Sequence, residues 1–242
     1  MLNILNFFRY FNINKLVKMK PLITPEQLKL IGTTIIKTEL SRISKALNDI
    51  CPEYGIINSD IFHEFIANLM EECQEFYTFE ENLNYKTDTL INTFGRHRIS
   101  IVDANKFGRK PGQQANKSAI ANIVYGGKWG KINLGNTNAG DGWLFRGSGA
   151  IQLTGRNNVT LFTKYFNEKF DTCHLPEEMV LLLRTNLEYS IHSACWFFAI
   201  AKNLIKLAID DNMREVIKRI NGGLNGFEGR MKYYEKAKKY IK

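Results

Sequence analysis

Two carboxylates stand out as residues that could do chemistry: Glu72 and Glu81, in an acidic stretch of a basic chain. Between Asp60 and Asp88 there are eight acids (Asp60, Glu64, Glu71, Glu72, Glu75, Glu80, Glu81, Asp88) against one base, Lys86. On a helix turning about 100° per residue, Phe62, Phe65, Ile66, Leu69, Cys73 and Phe76 form an apolar stripe. Glu64, Glu71 and Glu75 fall opposite it, where acids are normally solvated. Glu72 lies at the edge of the stripe, seven residues after Phe65 and three after Leu69. A carboxyl held against apolar neighbours has its ionised form disfavoured and can carry a proton near neutral pH, as a general acid must. Glu81 opens the polar cluster Glu81-Asn82-Leu83-Asn84-Tyr85 just past the helix, from which a second carboxylate could face the first across a groove. Each acid alone has a plainer reading, as a snorkelling side chain or a charged turn; the pairing gives them weight.

These carboxylates need a rigid frame, and the sequence writes one mostly in helices. Thr24-Pro25-Glu26-Gln27 is a capping-box start with proline at the first helical position, and it opens a helical pattern at Leu28 and Ile31. Leu40, Ile43, Leu47 and Ile50 repeat at helical spacing before a break at Pro52 to Gly55. Ser59 caps the helix that carries Glu72. Between Gly126 and Gly155 lie nine of the eighteen glycines, interleaved with Trp129, Trp143, Phe145, Ile151 and Leu153; this reads as loops with short strands rather than helix. Helical patterns return at Asn157 to Phe166, Thr185 to Leu204 and Asn212 to Ile220, the last stopped by Asn221-Gly222-Gly223, and a basic helix follows from Gly229. The expected class is α+β, mainly α-helical with a small β-like insert: a basic extension over residues 1–20 and a single domain over 21–242.

Composition narrows the rest. A chain of 242 residues with 44% apolar content can bury a substantial core. No run approaches the roughly 18 apolar residues of a membrane span. The first twenty residues carry Arg9, Lys15, Lys18 and Lys20 without an acid, lack a secretory signal pattern, and suit at most contact with an anionic surface. Net charge is +9, and Arg214 to Lys242 holds nine bases against three acids, which favours a polyanionic partner. That segment has no nucleic-acid-binding pattern, so nucleic acid is not the expected partner. Cys51, Cys73, Cys173 and Cys195 form no CxxC pair and read as reduced, buried thiols, with one or two unassigned disulfides as the alternative in an oxidising compartment. His63, His97, His174 and His192 make no HExxH motif, because Ala67 stands where the second ligand would be. No metal or other cofactor is expected. Gly147-Ser148-Gly149 is neither a nucleophile elbow nor a phosphate loop.

The run Asn138-Ala139-Gly140-Asp141-Gly142-Trp143-Leu144-Phe145-Arg146-Gly147-Ser148-Gly149-Ala150-Ile151-Gln152-Leu153-Thr154-Gly155-Arg156-Asn157-Asn158 resembles the signature of glycoside hydrolase family 19, which contains chitinases and lysozyme-like bacteriophage endolysins. The resemblance runs from about Leu40 to Tyr240. It includes Glu81 to Tyr85, Phe94 to Arg109 with Asp103-Ala104, Ile120 to Gly127, and Asn221 to Gly226. It implies a lysozyme-like, two-lobed fold with a central cleft, and hydrolysis of a β-1,4-linked glycan, either peptidoglycan or chitin. It further implies Glu72 as proton donor, Glu81 as the base activating water, and Thr154 as the hydroxyl holding that water. Tyr85, Trp143, Gln152, Asn158 and Asn221 would line the sugar cleft, and Arg230 would support the glutamates. The short step from Glu72 to Glu81 is similar to that of the compact bacterial and phage members, for which a monomer acting at the bacterial wall is expected. The chain differs from the usual pattern in having Glu71-Glu72-Cys73 for His-Glu-Ser and Arg146-Gly147-Ser148-Gly149 for Arg-Gly-Arg-Gly. An inert glycan-binding relative is the remaining alternative; it would keep the cleft but lose a glutamate, and both are present.

Overall fold

A computed structural model describes residues 20–242, so the expected basic extension falls, apart from Lys20, outside the described residues. The Thr24 capping box forms as written: Gln27 N donates to Thr24 Oγ1 (3.2 Å) and Thr24 N to Gln27 Oε1 (2.8 Å). It starts α1 (Pro25–Ile31), followed by α2 (Leu40–Ile50) and α3 (Ser59–Glu72). Next come α4 (Thr87–Phe94), α5 (Ile101–Phe107), α6 (Lys117–Val124), α7 (Gly127–Leu134) and α8 (Asp141–Leu144). The chain then runs through α9 (Arg156–Phe170), α10 (Pro176–Thr185), α11 (Leu187–Trp196), α12 (Ile205–Ile209), α13 (Met213–Asn221) and α14 (Phe227–Tyr240). The fold is mainly α-helical, in keeping with the lysozyme-like class, and no described helix is long and apolar enough to cross a membrane.

The expected β-like insert is reduced to isolated bridges, Glu80 to Ser148 and Ser148 to Leu153 among them. Much of the glycine-rich stretch is in fact helical, as α7 and α8. Several of its glycines sit at the helix borders, Gly126 and Gly140 at N-caps and Gly135 at a C-cap, so glycine punctuates short helices here rather than excluding them. The long pattern from Thr185 to Leu204 starts at Asn186, whose side chain caps α11 by accepting from the backbone N–H groups of Glu188 and Tyr189, and passes after Trp196 into a π-helical turn, Phe197–Ala201. The cap of α3 is Asn58 rather than Ser59, its Oδ1 accepting from Ile61 N at 3.0 Å. Gly222, in the left-handed region at φ 70°, ends α13 where the sequence placed the stop.

Helix α3 is the axis of the molecule. Its apolar stripe enters the main core, where Phe62, Phe65, Ile66 and Leu69 lie among Phe162, Ile191 and Phe198 from later helices. Burying each large side chain of this kind contributes roughly 1.5–3 kcal/mol. Its opposite side is covered by α13 and α14, with Ala67 packed among Met213, Ile217 and Tyr234. A separate, smaller cluster (Leu83, Leu90, Phe94, Ile99, Ala104, Ile120, Ala121, Val124) gathers α4, α5 and α6.

Enclosure of α3 overturns the expectation that Glu64 and Glu75 are solvated. Residues Ile61 to Met70 are all buried, Glu64 among them. A helical wheel assumes water on one side, and α13 with α14 removes it. Glu75 is off the wheel altogether, since α3 ends at Glu72, and it is also buried. Glu71 alone stays partly exposed. The thiols are free, and Cys51, Cys73 and Cys195 are buried as expected, but Cys173 is exposed because it lies in the turn after α9.

Neither carboxylate oxygen of Glu64 has a hydrogen-bond partner among the described residues. Burial first, then the Asp211 carboxylate, pushes Glu64 up to about 8 from the ordinary 4.5, with Lys238 opposing. An acid whose folded pKa is raised adds most stability below its unfolded pKa and loses that contribution as pH rises through the folded value. Thermal melts should therefore show wild-type stability falling between pH 4.5 and about 8 more steeply than that of Glu64→Gln. Parallel slopes for the two proteins would show that Glu64 does not titrate in this window.

Candidate active site

Glu72 is the last residue of α3, and the helix end brings its carboxylate to the buried guanidinium of Arg230 on α14. Arg230 Nη2 donates to Glu72 Oε1 and, at 3.3 Å, to Asn221 Oδ1 at the end of α13. Its Nη1 donates to Asn68 Oδ1 at 2.9 Å. Asn68 lies four residues before Glu72 on the same helix, a spacing that puts both on one face. Glu72, Asn221 and Arg230 are thus brought together, with Asn68 as a member that sequence reasoning missed. Glu72 Oε2 takes no hydrogen bond from any described residue. The apolar wall expected beside Glu72 is, on this side, a charged hydrogen-bond network.

Glu81 sits in a second setting. Its Oε1 accepts from the Tyr125 hydroxyl at 2.7 Å and its Oε2 from the Gly147 N–H at 3.1 Å. Its own N–H donates to Gly147 O at 2.9 Å. Gly147 has no room for a side chain: a Cβ there would lie 2.7 Å from Gln152 Oε1 and 3.2 Å from Glu81 Cβ. Gln152 is therefore packed beside Glu81. Thr154 Oγ1 donates to Gln152 O at 2.9 Å, and Asn158 Nδ2 to Thr154 O at 2.7 Å, so these three form a hydrogen-bonded chain from Gln152 to an exposed Asn158. Tyr85 packs edge-on against Phe94, which packs edge-on against Tyr125. Trp143 lies under the Arg146 guanidinium at 3.5 Å, and Arg146 pairs with Glu80.

Sequence reasoning did not single out Tyr125 or Arg98. Burial, then the Glu81 charge, pushes the Tyr125 phenol up, so it is a neutral donor to the carboxylate. Arg98 lies over the rings of Trp129 (3.8 Å), Phe94 (5.0 Å) and Tyr125 (5.2 Å), with Nε donating to Val124 O. Burial pulls its guanidinium below the ordinary range, against the pull of Tyr125 and Glu81. The available signal was position: Tyr125 falls within Ile120 to Gly127, beside the paired glycines that begin α7.

The loop carrying Gly147 to Thr154 is pinned at its ends by one ion pair. Arg156 donates to Asp141 through Nε (2.9 Å) and Nη2 (2.7 Å), and to Glu177 through Nη1. Burial alone would raise the Asp141 carboxyl, but the Arg156 hydrogen bonds outweigh it and hold it low. Ser148, where the usual pattern has arginine, is buried and accepts from Arg184 Nε at 2.8 Å, so a cation from α10 reaches this loop. Two surface hollows, one lined by Lys86, Arg109 and Gln113 and one by Glu71, Glu75 and Tyr233, include neither Glu72 nor Glu81. The candidate site is therefore marked by its hydrogen-bonded carboxylates rather than by the depth of a hollow.

No protein-family model matches the chain. It is similar to a "Glycosyl hydrolase family 19 domain-containing protein" of Haemophilus influenzae, with 34% identity over 180 residues covering 74% of this chain and 80% of that protein.

Removing one partner of a buried ion pair leaves the other desolvated and unpaired. Arg230→Met should cost about 3 kcal/mol in denaturant unfolding, since it strips donors from Glu72, Asn68 and Asn221 together. A loss near that of an exposed pair, under about 1 kcal/mol, would mean that water replaces the guanidinium.

Proposed function

The chain belongs to glycoside hydrolase family 19, and from that premise we propose that it cleaves the β-1,4-linked glycan of bacterial peptidoglycan by an inverting acid–base mechanism. The observation that carries the reading is the pair of carboxylates held in two different ways: Glu72 on Arg230 at the end of α3, Glu81 between Tyr125 and Gly147 beside Gln152. Arg230 fixes Glu72 through Oε1, leaving Oε2 to carry the proton that passes to the leaving glycosidic oxygen. Each Glu81 oxygen takes one donor and keeps a lone pair, so the carboxylate can remove a proton from water as that water attacks the anomeric carbon. Thr154, through its hydroxyl oxygen, would hold this water. Tyr85, Trp143, Gln152, Asn158 and Asn221 would contact the sugars along a cleft between the main core and the smaller cluster. The chemistry requires two carboxylates and a water, with no metal or cofactor.

Peptidoglycan is favoured over chitin by charge. The net +9, with nine bases from Arg214 to Lys242, suits an anionic wall, whereas chitin is neutral. Chitinase activity is the second reading, since chitin shares the linkage and the N-acetyl groups. Turbidity clearing of outer-membrane-stripped bacteria should therefore exceed release from colloidal chitin, and should weaken with salt. Intact walls alongside efficient cutting of chitin oligomers would select the chitinase reading.

Glu72→Gln removes the proton donor and Glu81→Gln the base, so each should lower turnover on the order of 100-fold or more while binding survives. Inverting enzymes hold their carboxyls roughly 6.5–9.5 Å apart to admit the water, against about 5–5.5 Å when the second attacks directly. NMR immediately after cleavage should find the new reducing end as the α anomer. A first-formed β anomer, or a glycosyl adduct on Glu81, rules out inversion.

A further inference from the structure

Between Glu72 and Glu81 the backbone takes a course that L-residues avoid. Gln74, Glu75 and Phe76 are consecutive and none is glycine, yet all lie in the left-handed region, with φ of 49°, 57° and 64°. Their Cβ atoms crowd the following carbonyls in this conformation, which non-glycine residues visit singly rather than in runs. Such a run persists only where the surroundings hold it.

The holding group is Glu75. Its side chain is buried, with Oε2 accepting from Thr34 N (2.5 Å) and Thr34 Oγ1 (2.7 Å) and Oε1 accepting from the Tyr233 hydroxyl (2.8 Å). Burial raises this carboxyl, but the hydrogen bonds from Thr34 and Tyr233 outweigh it and hold it below its ordinary value. Thr34 belongs to the segment after α1 and Tyr233 to α14, so one carboxylate ties the turn to elements from both ends of the described chain. Around it, Glu75 N donates to Met70 O (2.8 Å) and Phe76 N to Cys73 Sγ (3.2 Å), while the Phe76 ring enters the main core.

A right-handed continuation of α3 would carry residues 77–81 along the helix axis, away from the bond between Glu81 N and Gly147 O. The left-handed turn redirects them. We infer that Glu75 is a positioning residue: its buried carboxylate holds the left-handed turn that sets Glu81 in its place relative to Glu72. The inference rests on the reading of those two glutamates as acid and base. It explains why a charge is buried three residues beyond Glu72, with a full set of donors, in a segment that makes no contact with substrate in the proposed mechanism.

The test is steady-state cleavage of peptidoglycan by the full chain, with thermal melts alongside. Glu75→Ala should lower kcat on the order of 10 to 100-fold with KM little changed, as expected when reacting groups are misplaced by about an ångström. Adding Gln74→Gly to that variant relieves the left-handed strain without replacing the carboxylate, and should recover kcat about fivefold or more while the melting temperature recovers only part of its loss. A buried acid with only a structural role predicts the reverse, with kcat following the folded fraction and no recovery from glycine. If Glu75→Ala loses its cooperative melt, Glu75→Gln carries the comparison, with a smaller fall in kcat at constant KM. Unchanged kcat in Glu75→Ala, with wild type active and Glu72→Gln inactive, overturns this inference alone. A wild type that cuts no glycan, or a fully active Glu72→Gln, overturns the acid–base reading and this inference with it.

Discussion

The guanidinium of Arg230 is the constraint on which the rest of this structure turns. It lies buried between α3, α13 and α14 and reaches Asn68, Glu72 and Asn221. A charge in that position is tolerable only because an opposite charge and several oxygens surround it. Satisfying it requires α14 to lie along α3 in one register, which also delivers Tyr233 to Glu75 and the Ile241 carbonyl to His63 (3.1 Å). The C-terminal helix, which composition marks chiefly as basic surface, therefore supplies the partners of Glu72 and Glu75.

The two glutamates are held by different means, a difference that the proposed roles of acid and base would use. Glu72 ends a helix and is fixed by a side-chain cation from a distant segment. Glu81 lies in extended chain and is fixed by a backbone N–H and a phenol. Its neighbourhood depends on Gly147, where any side chain would collide with Gln152 and Glu81, and on the Asp141–Arg156 pair that closes the base of the loop. What joins the two settings is the left-handed turn at Gln74 to Phe76, a strained element of the kind that survives where surrounding contacts over-determine it.

Much of this was legible in the residues themselves. The Thr24 capping box, the periodicity of α2 and α3, and the Gly222 stop rest on local rules that act within one or two turns. The ordered motifs likewise singled out Glu72, Glu81, Asn221 and Arg230; the folded chain joins Glu72 and Asn221 through Arg230 and holds Glu81 separately on Tyr125 and Gly147. Local rules failed where packing outvoted them. Glycines between Gly126 and Gly155 suggested strands, yet they border short helices whose existence depends on contacts such as those of α8 with α6.

The sequence by itself determined the helical class, the main helix starts and stops, and two acids, one at the end of α3 and one in the chain beyond it, because capping, periodicity and residue type are local properties. Tertiary structure alone decided which acids are buried. Glu64 and Glu75 look like solvent-facing residues on a helix considered alone, but α13 and α14 cover the far side of α3, and the chain turns left-handed before Glu75. It also decided the partners of the pair, Arg230 for Glu72 and Tyr125 for Glu81, which lie 158 and 44 residues away along the chain. A side chain's charge can be read from its identity; its solvent and its hydrogen-bond donors come from whatever the fold packs against it.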